Sequence, residues 1–254
     1  MRASQQGILR HSISDRLIHW GNSVLWFLLL FSGVALIDNA AVAPFTQGYS
    51  AFVRSIVGGG ARLLVIHISL GVLWMASLAI YLLVNWRGGV FFLRAIFSPG
   101  KGDLVWLFRK GMQMTLGKAV ASRLGINPEL PPQGYYNAGQ KGIAVMIVLC
   151  CMAIAGTGLF MAFATAMSAP WLVVLLPWAL LVHHAGVFLV LAGLIIHIYM
   201  AAFSLEERPG LRSMVSGTVP EEYARHHHPL WLEHFQSENP LTDDGASLVR
   251  ANEE

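Results

Sequence analysis

Four of the ten histidines in this 254-residue chain, His19, His67, His183 and His197, fall inside long apolar stretches. An ionisable ring is costly to keep there and tends to be kept for function. His183 and His197 are fourteen residues apart, which on a helix returns them to within about 40° of one face and separates them by about 21 Å along the axis. They therefore stand near opposite edges of one membrane span. By depth, His67 matches His183 on the outer side, and His19 matches His197 on the inner side. Two imidazoles from facing helices can hold an iron axially between them, so the two pairs predict two b-type haems. His184 is about 140° off the face of His197 and reads as an outer-surface or propionate-contacting residue. Any one of the four histidines alone also fits a hydrogen-bonded residue of a haem-free anchor or transporter; the depth matching of two pairs favours haem.

The remaining candidates are weaker. His11 and His234 read as solvated, and His226, His227 and His228 resemble a metal-binding tract in composition only and read as a contact patch. Cys150 and Cys151 are the only cysteines; they lack C-x-x-C-H spacing, so any haem is non-covalent and both read as packing residues. A second constellation is Tyr135-Tyr136-Asn137-Ala138-Gly139-Gln140-Lys141. It brings phenol, amide and ammonium donors, with a glycine that allows close approach, to the depth of His197. A quinone needs such donors at its carbonyls, and the same residues suit equally an interfacial belt that caps a helix.

Those side chains require helices to carry them. The chain is 55% hydrophobic and 12% charged, where a soluble domain is about one-quarter charged. Apolar runs of spanning length lie at 17–37, 63–86, 142–163 and 179–203, and each must be helical, because lipid offers backbone groups no partners. Met1 to Asp15 is polar and the apolar run after it continues past Phe27 without an A-x-A site, so the first span is expected to be retained. Ser12, Ser14 or Asp15 is expected to cap it. Of the 17 lysines and arginines, all but Arg54 and Arg62 fall before the first span, between the second and third, or after the fourth. That bias puts both termini in the cytoplasm and explains a pI near 9.0 without nucleic acid. The expected architecture is an all-α, multi-pass, four-helix membrane bundle over residues 17–205. Around it lie a cytoplasmic segment at 1–16, a cytoplasmic loop at 87–140 with a short amphipathic helix near Lys118, and a polar cytoplasmic tail at 206–254, disordered from Ser237. The stretch 164–178, broken by Pro170 and Pro177, reads as re-entrant or interfacial. No internal repeat is read.

The motifs "RLIHW" around His19, "ARLLVIH" around His67, "YNAGQK" at 136–141, "LVHHAG…LIIHIYMA" at 181–201 and "GTVPEEYARHHHPLW" near the tail together resemble the cytochrome b556, or gamma, subunits of membrane-bound respiratory formate dehydrogenases. The histidine motif alone is shared with di-haem cytochromes that serve hydrogenases and other reductases. The resemblance implies a subunit of the bacterial inner membrane that does not itself act on formate. Its partners would be a molybdenum or tungsten catalytic (alpha) subunit and an iron-sulfur (beta) subunit. Electrons would pass to an outer haem ligated by His67 and His183, then to an inner haem ligated by His19 and His197. They would leave on menaquinone or ubiquinone in a pocket lined by Asn137, Gly139 and Gln140. The tail motif would contact the iron-sulfur subunit or the inner membrane face.

Overall fold

A computed structural model describes residues 7–40, 45–167 and 170–238. Arg2, Arg250 and the tail after Glu238, including most of the stretch expected to be disordered, lie outside these residues. In chain order the elements are β1 (Gly7–Leu9), α1 (Ile13–Leu36), α2 (Gln47–Val57), α3 (Gly60–Val84), α4 (Trp86–Phe97), α5 (Asp103–Leu116), α6 (Lys118–Arg123) and α7 (Ala138–Met167). There follow α8 (Pro170–Val173), α9 (Leu176–Ile198), a π-helical turn Tyr199–Phe203, α10 (Arg208–Ser216), β2 (Thr218–Pro220), α11 (Glu221–His227) and α12 (Pro229–Glu238). Among the described residues four helices are long and apolar enough to cross a membrane: Ile13–Leu36, Gly60–Val84, Ala138–Ala164 and Leu176–Phe203. They are apolar all round, and large side chains such as Leu17, Leu83, Leu149 and Phe188 stand exposed along them, as lipid-facing helices require.

Contacts divide the chain into two compact units, one of Leu17–Trp86 with Val148–Ala192, the other of Met1–Arg16, Arg87–Ile147 and Gly193–Glu254. In the first, the spans meet through sparse polar contacts. The buried Trp74 of α3 donates its indole N–H to Asn22 Oδ1 of α1 at 2.6 Å. The connection between α1 and α3 carries α2, and α2 serves the end of α1. Its Arg54 donates to the carbonyls of Ala35 at 3.1 Å and Leu36 at 2.9 Å and pairs with Asp38 at 2.7 Å. A cation there satisfies orphan carbonyls and opposes the negative end of the helix dipole. One of the two arginines that depart from the charge bias is thus a helix cap.

The second unit is more structured than its polar composition predicts. β1 and β2 pair antiparallel, with Ile8 opposite Val219. Ile8 and Val219 sit in a small core with Tyr223, Ala224 and Leu232, against which Trp231 and Phe235 pack. The tail is therefore folded through Glu238, one residue beyond the expected onset of disorder at Ser237. The stretch read as an inner loop carries three helices, α4 to α6. Pro99-Gly100 marks the boundary between α4 and α5, where the Asp103 carboxylate accepts from the Gly100 N–H at 2.7 Å.

Helix starts differ from the hydropathy boundaries for a local reason. Ser12 Oγ accepts from the Asp15 N–H at 3.1 Å and the Asp15 carboxylate accepts from the Ser12 N–H at 3.2 Å. That reciprocal capping box starts α1 at Ile13, four residues before its apolar run. At the other boundary, α7 runs on to Met167, and Pro177 fits within the first turn of α9, where its missing N–H costs nothing.

Candidate functional site

His67 on α3 and His183 on α9 lie within one unit and face each other, with ring centroids 6.5 Å apart and planes at 66°. A ligating imidazole nitrogen lies about 2 Å from its metal, so two such bonds end to end plus two half-rings give about 6 Å between centroids. The observed separation therefore fits one iron held axially between the two rings. His183 is the ring opposite His67, and His184 stands edge-on to it at 89°, 6.4 Å away.

Both rings are backed in the same way. Nδ1 of His67 lies 2.8 Å from Ser32 Oγ on α1, and Nδ1 of His183 lies 3.1 Å from Thr157 Oγ1 on α7. In each case the next residue is a glycine that lets the ring lie close to the backbone. A Cβ at Gly33 would stand 3.2 Å from His67 Cε1, and one at Gly158 would stand 3.5 Å from His183 Cε1. With Nδ1 occupied, Nε2 is the nitrogen left to ligate. Sequence reading did not single out Ser32 or Thr157. A recurring hydroxyl-glycine pair, Ser32-Gly33 in the first span and Thr157-Gly158 in the third, is the signal that could have found them.

His19 lies on α1 in the same unit, its ring edge-on to Trp20 at 5.3 Å. His197 belongs to the other unit, in the last turn of α9. The π-helical turn Tyr199–Phe203 follows it; such turns appear mostly as local insertions in α-helices and are frequent at functional sites.

The expected quinone residues Asn137, Gly139 and Gln140 form the start of α7. Gln140 Oε1 accepts from the Asn137 N–H at 3.0 Å, and Asn137 Oδ1 accepts from the Gln140 N–H at 2.9 Å. This is a second reciprocal capping box, and it commits both amide oxygens to the helix. What remains on each side chain is its NH2, a donor. The box is tied down from several directions. Gln133 Oε1 accepts from the Ala138 N–H at 2.7 Å, and Lys141 pairs with Asp103 at 3.0 Å. Trp106 of α5 lies where a Cβ at Gly139 would come within 3.3 Å of its ring. Neither Trp106 nor Gln133 carries a sequence signal of its own. Burial pushes the neighbouring Tyr136 phenol up to about 12, which keeps it protonated and able to donate.

The three tail histidines separate by environment. His226 is exposed, while His227 stacks on Tyr223 at 4.5 Å and approaches Glu207 at 3.6 Å. His228 is fully buried, and its Nδ1 lies 2.8 Å from the carbonyl of Gly134. The tract is thus in part a core feature, where a contact patch was expected. Among the described residues no group of three or more His, Cys, Asp or Glu is placed to hold a metal ion. His11, expected to be solvated, is half-buried with Nδ1 3.3 Å from the Tyr135 hydroxyl.

The family model described as prokaryotic cytochrome b561 matches residues 10–217. The formate dehydrogenase cytochrome b556 subunit of Haemophilus influenzae is 28% identical over 227 residues, covering 88% of this chain and 82% of that protein. The nitrate-inducible formate dehydrogenase cytochrome b556(Fdn) subunits of Escherichia coli K12 and Shigella flexneri are each 24% identical over 233 residues, covering 90% of this chain and 92% of theirs. With a matched region that takes in all four spans and all four intramembrane histidines, the chain belongs to the prokaryotic cytochrome b561 family.

Proposed function

We propose that this chain is the di-haem cytochrome b subunit of a formate dehydrogenase complex in the bacterial inner membrane, carrying electrons from an iron-sulfur subunit to quinone. The observation that carries the reading is the His67–His183 pair, 6.5 Å apart with both Nδ1 atoms engaged by hydroxyls. The relatives are named as formate dehydrogenase subunits, which supports a complex with other formate dehydrogenase subunits; in our reading these are an iron-sulfur subunit and a molybdenum- or tungsten-dependent catalytic subunit. Lysine and arginine bias supports cytoplasmic termini, which makes His67 and His183 the outer ligands.

Haem b, when bound, supplies a one-electron iron couple. The protein's work is to hold and insulate it. His67 and His183 present Nε2 from facing helices, and the apolar spans around them exclude water. By depth and spacing His19 and His197 form the inner pair, so that electrons cross the membrane in two stages. At the inner side Asn137, Gly139 and Gln140 line the quinone pocket. Their capping box fixes the amide NH2 groups as donors to a quinone carbonyl, and Gly139 lets the Trp106 ring pack against the start of α7 beside them. Tyr136, held protonated by burial, is a further donor. Reduction of quinone to quinol takes two electrons and two protons; with protons drawn from the cytoplasm and electrons from the outer side, turnover is electrogenic.

The test is a reduced-minus-oxidised spectrum with a haem count on the purified complex, followed by addition of formate. Two b haems per chain, reduced by formate and reoxidised by a quinone analogue, are expected. Reduction by hydrogen and not by formate would reassign the partner to a hydrogenase. No haem in a folded chain would overturn the reading.

A further inference from the structure

Two helix pairs of one unit follow a single plan. In α1, Ser32 Oγ lies 2.8 Å from the Leu28 carbonyl and 3.1 Å from that of Leu29. In α7, Thr157 Oγ1 lies 2.6 Å from the Ala153 carbonyl and 3.2 Å from that of Ile154. A hydroxyl has one hydrogen, and here a backbone carbonyl of its own helix takes it. Toward Nδ1 of His67 and of His183 the oxygen then acts as an acceptor. Each ring must therefore carry its hydrogen on Nδ1 and leave the Nε2 lone pair for a metal. Lipid offers no water to accept that N–H, and an unpaired donor at this depth is costly. The hydroxyl is thus the partner that makes one tautomer the stable one.

The arrangement also bears on electron density. An acceptor on Nδ1–H polarises the ring toward imidazolate and strengthens the donation of Nε2 to iron, which favours the ferric state. A hydroxyl already spent on a carbonyl is a mild acceptor, without the charge of a carboxylate. His67 and His183 are treated alike, so their effects on the potential of a haem held between them would add.

We propose that Ser32 and Thr157 are positioning residues that fix His67 and His183 as Nδ1–H tautomers and together hold down the potential of the haem between them. The inference rests on the assignment of His67 and His183 as axial ligands of one haem. Neither hydroxyl would touch substrate or metal; each acts through a ligand.

The experiment is a redox titration of both haems, followed optically and by electron paramagnetic resonance, on the detergent-purified complex. The variants are Ser32→Ala, Thr157→Val, the double variant, and the conservative exchanges Ser32→Thr and Thr157→Ser. His67→Ala run in parallel identifies which haem belongs to this pair, as the one that is lost. In each single variant that haem's midpoint is expected to rise, and in the double to rise further. The other haem should stay in place, and the conservative exchanges should return the wild-type value. An unchanged midpoint in the double variant with two haems bound would overturn the proposal. So would an equal shift of both haems, or a haem loss that Thr157→Ser does not restore. If His67→Ala keeps both haems, the ligand assignment itself fails; if it loses one while the hydroxyl variants leave the midpoints unmoved, only the present inference falls.

Discussion

The imidazole rings of His67 and His183 stand 6.5 Å apart, centre to centre, although 116 positions separate them in the chain. No hydrogen bond joins the two rings in the structure, and each turns its Nδ1 to a hydroxyl on a neighbouring helix. Two rings that approach this closely in a lipid-facing bundle, with one nitrogen of each engaged, are held apart at the distance a shared metal needs.

It follows that His67→Ala and His183→Ala should have the same phenotype. Each should lose one haem and spare the other, while His197→Ala should lose the other haem and block quinone reduction. A haem count with redox titration on each variant checks this. If His67→Ala and His183→Ala removed different haems, the pairing by depth would be wrong.

Glycine substitutions should behave asymmetrically. At Gly33 a Cβ would stand 3.2 Å from His67 Cε1, closer than ordinary contact, so Gly33→Ala forces the ring to move by a few tenths of an ångström. At Gly158 the distance is 3.5 Å, an ordinary contact, and Gly158→Ala should be accommodated. The resonance signature of the haem proposed to lie between His67 and His183 is expected to shift in the first variant and stay in the second. Equal behaviour of the two would mean that the glycines do not set the ring positions.

Much of this was legible beforehand, because the bilayer imposes few solutions. A span needs about 20 apolar residues, and an imidazole inside one stands out. The phase of 3.6 residues per turn then separates His183 from His184 relative to His197. What stayed hidden depends on partners distant in sequence. Ser32 and Thr157 look like any serine or threonine hydrogen-bonded back to its own helix until a histidine from another helix is seen behind them. Arg54 reads as an exception to the charge bias until α2 brings it to the end of α1. The folded tail was obscured because its core is small and assembled from short segments far apart in the chain, Ile8 with Val219 among them. Asn137 and Gln140 carried two readings in sequence, a helix cap and a quinone pocket. The geometry makes them a cap while leaving their NH2 groups as donors.

Those two roles can be separated at Gln140. Gln140→Glu keeps an oxygen to accept from the Asn137 N–H but removes the NH2 donor. Asn137→Ala removes the cap, at a cost of about 1 kcal/mol. The expected outcome for Gln140→Glu is an unchanged melting temperature, both haems retained, and quinol formation slowed by up to about tenfold, the worth of one hydrogen bond. Turnover at the wild-type rate would leave Gln140 a capping residue only.

The folded tail should lose stability as pH falls from 7 to 5. Burial pushes His228 down to about 3, with the nearby Arg10 guanidinium acting in the same direction. The unfolded chain binds a proton at this position near pH 6.5 and the folded chain does not. The contribution is therefore fully present above about pH 6.5 and is lost as pH falls toward 3, with a slope of at most about 1.4 kcal/mol per pH unit. Burial lowers His227 as well, so it adds in the same sense. Glu206, held below its usual 4.5 by Lys110 and Lys118, titrates only at lower pH, so the window from 6.5 to 5 belongs to the histidines. His228→Asn retains a donor for the Gly134 carbonyl and cannot be protonated. Thermal melts at pH 7 and pH 5 should show a drop in the wild type that is much reduced in His228→Asn; the same drop in both would assign the effect to His227 instead.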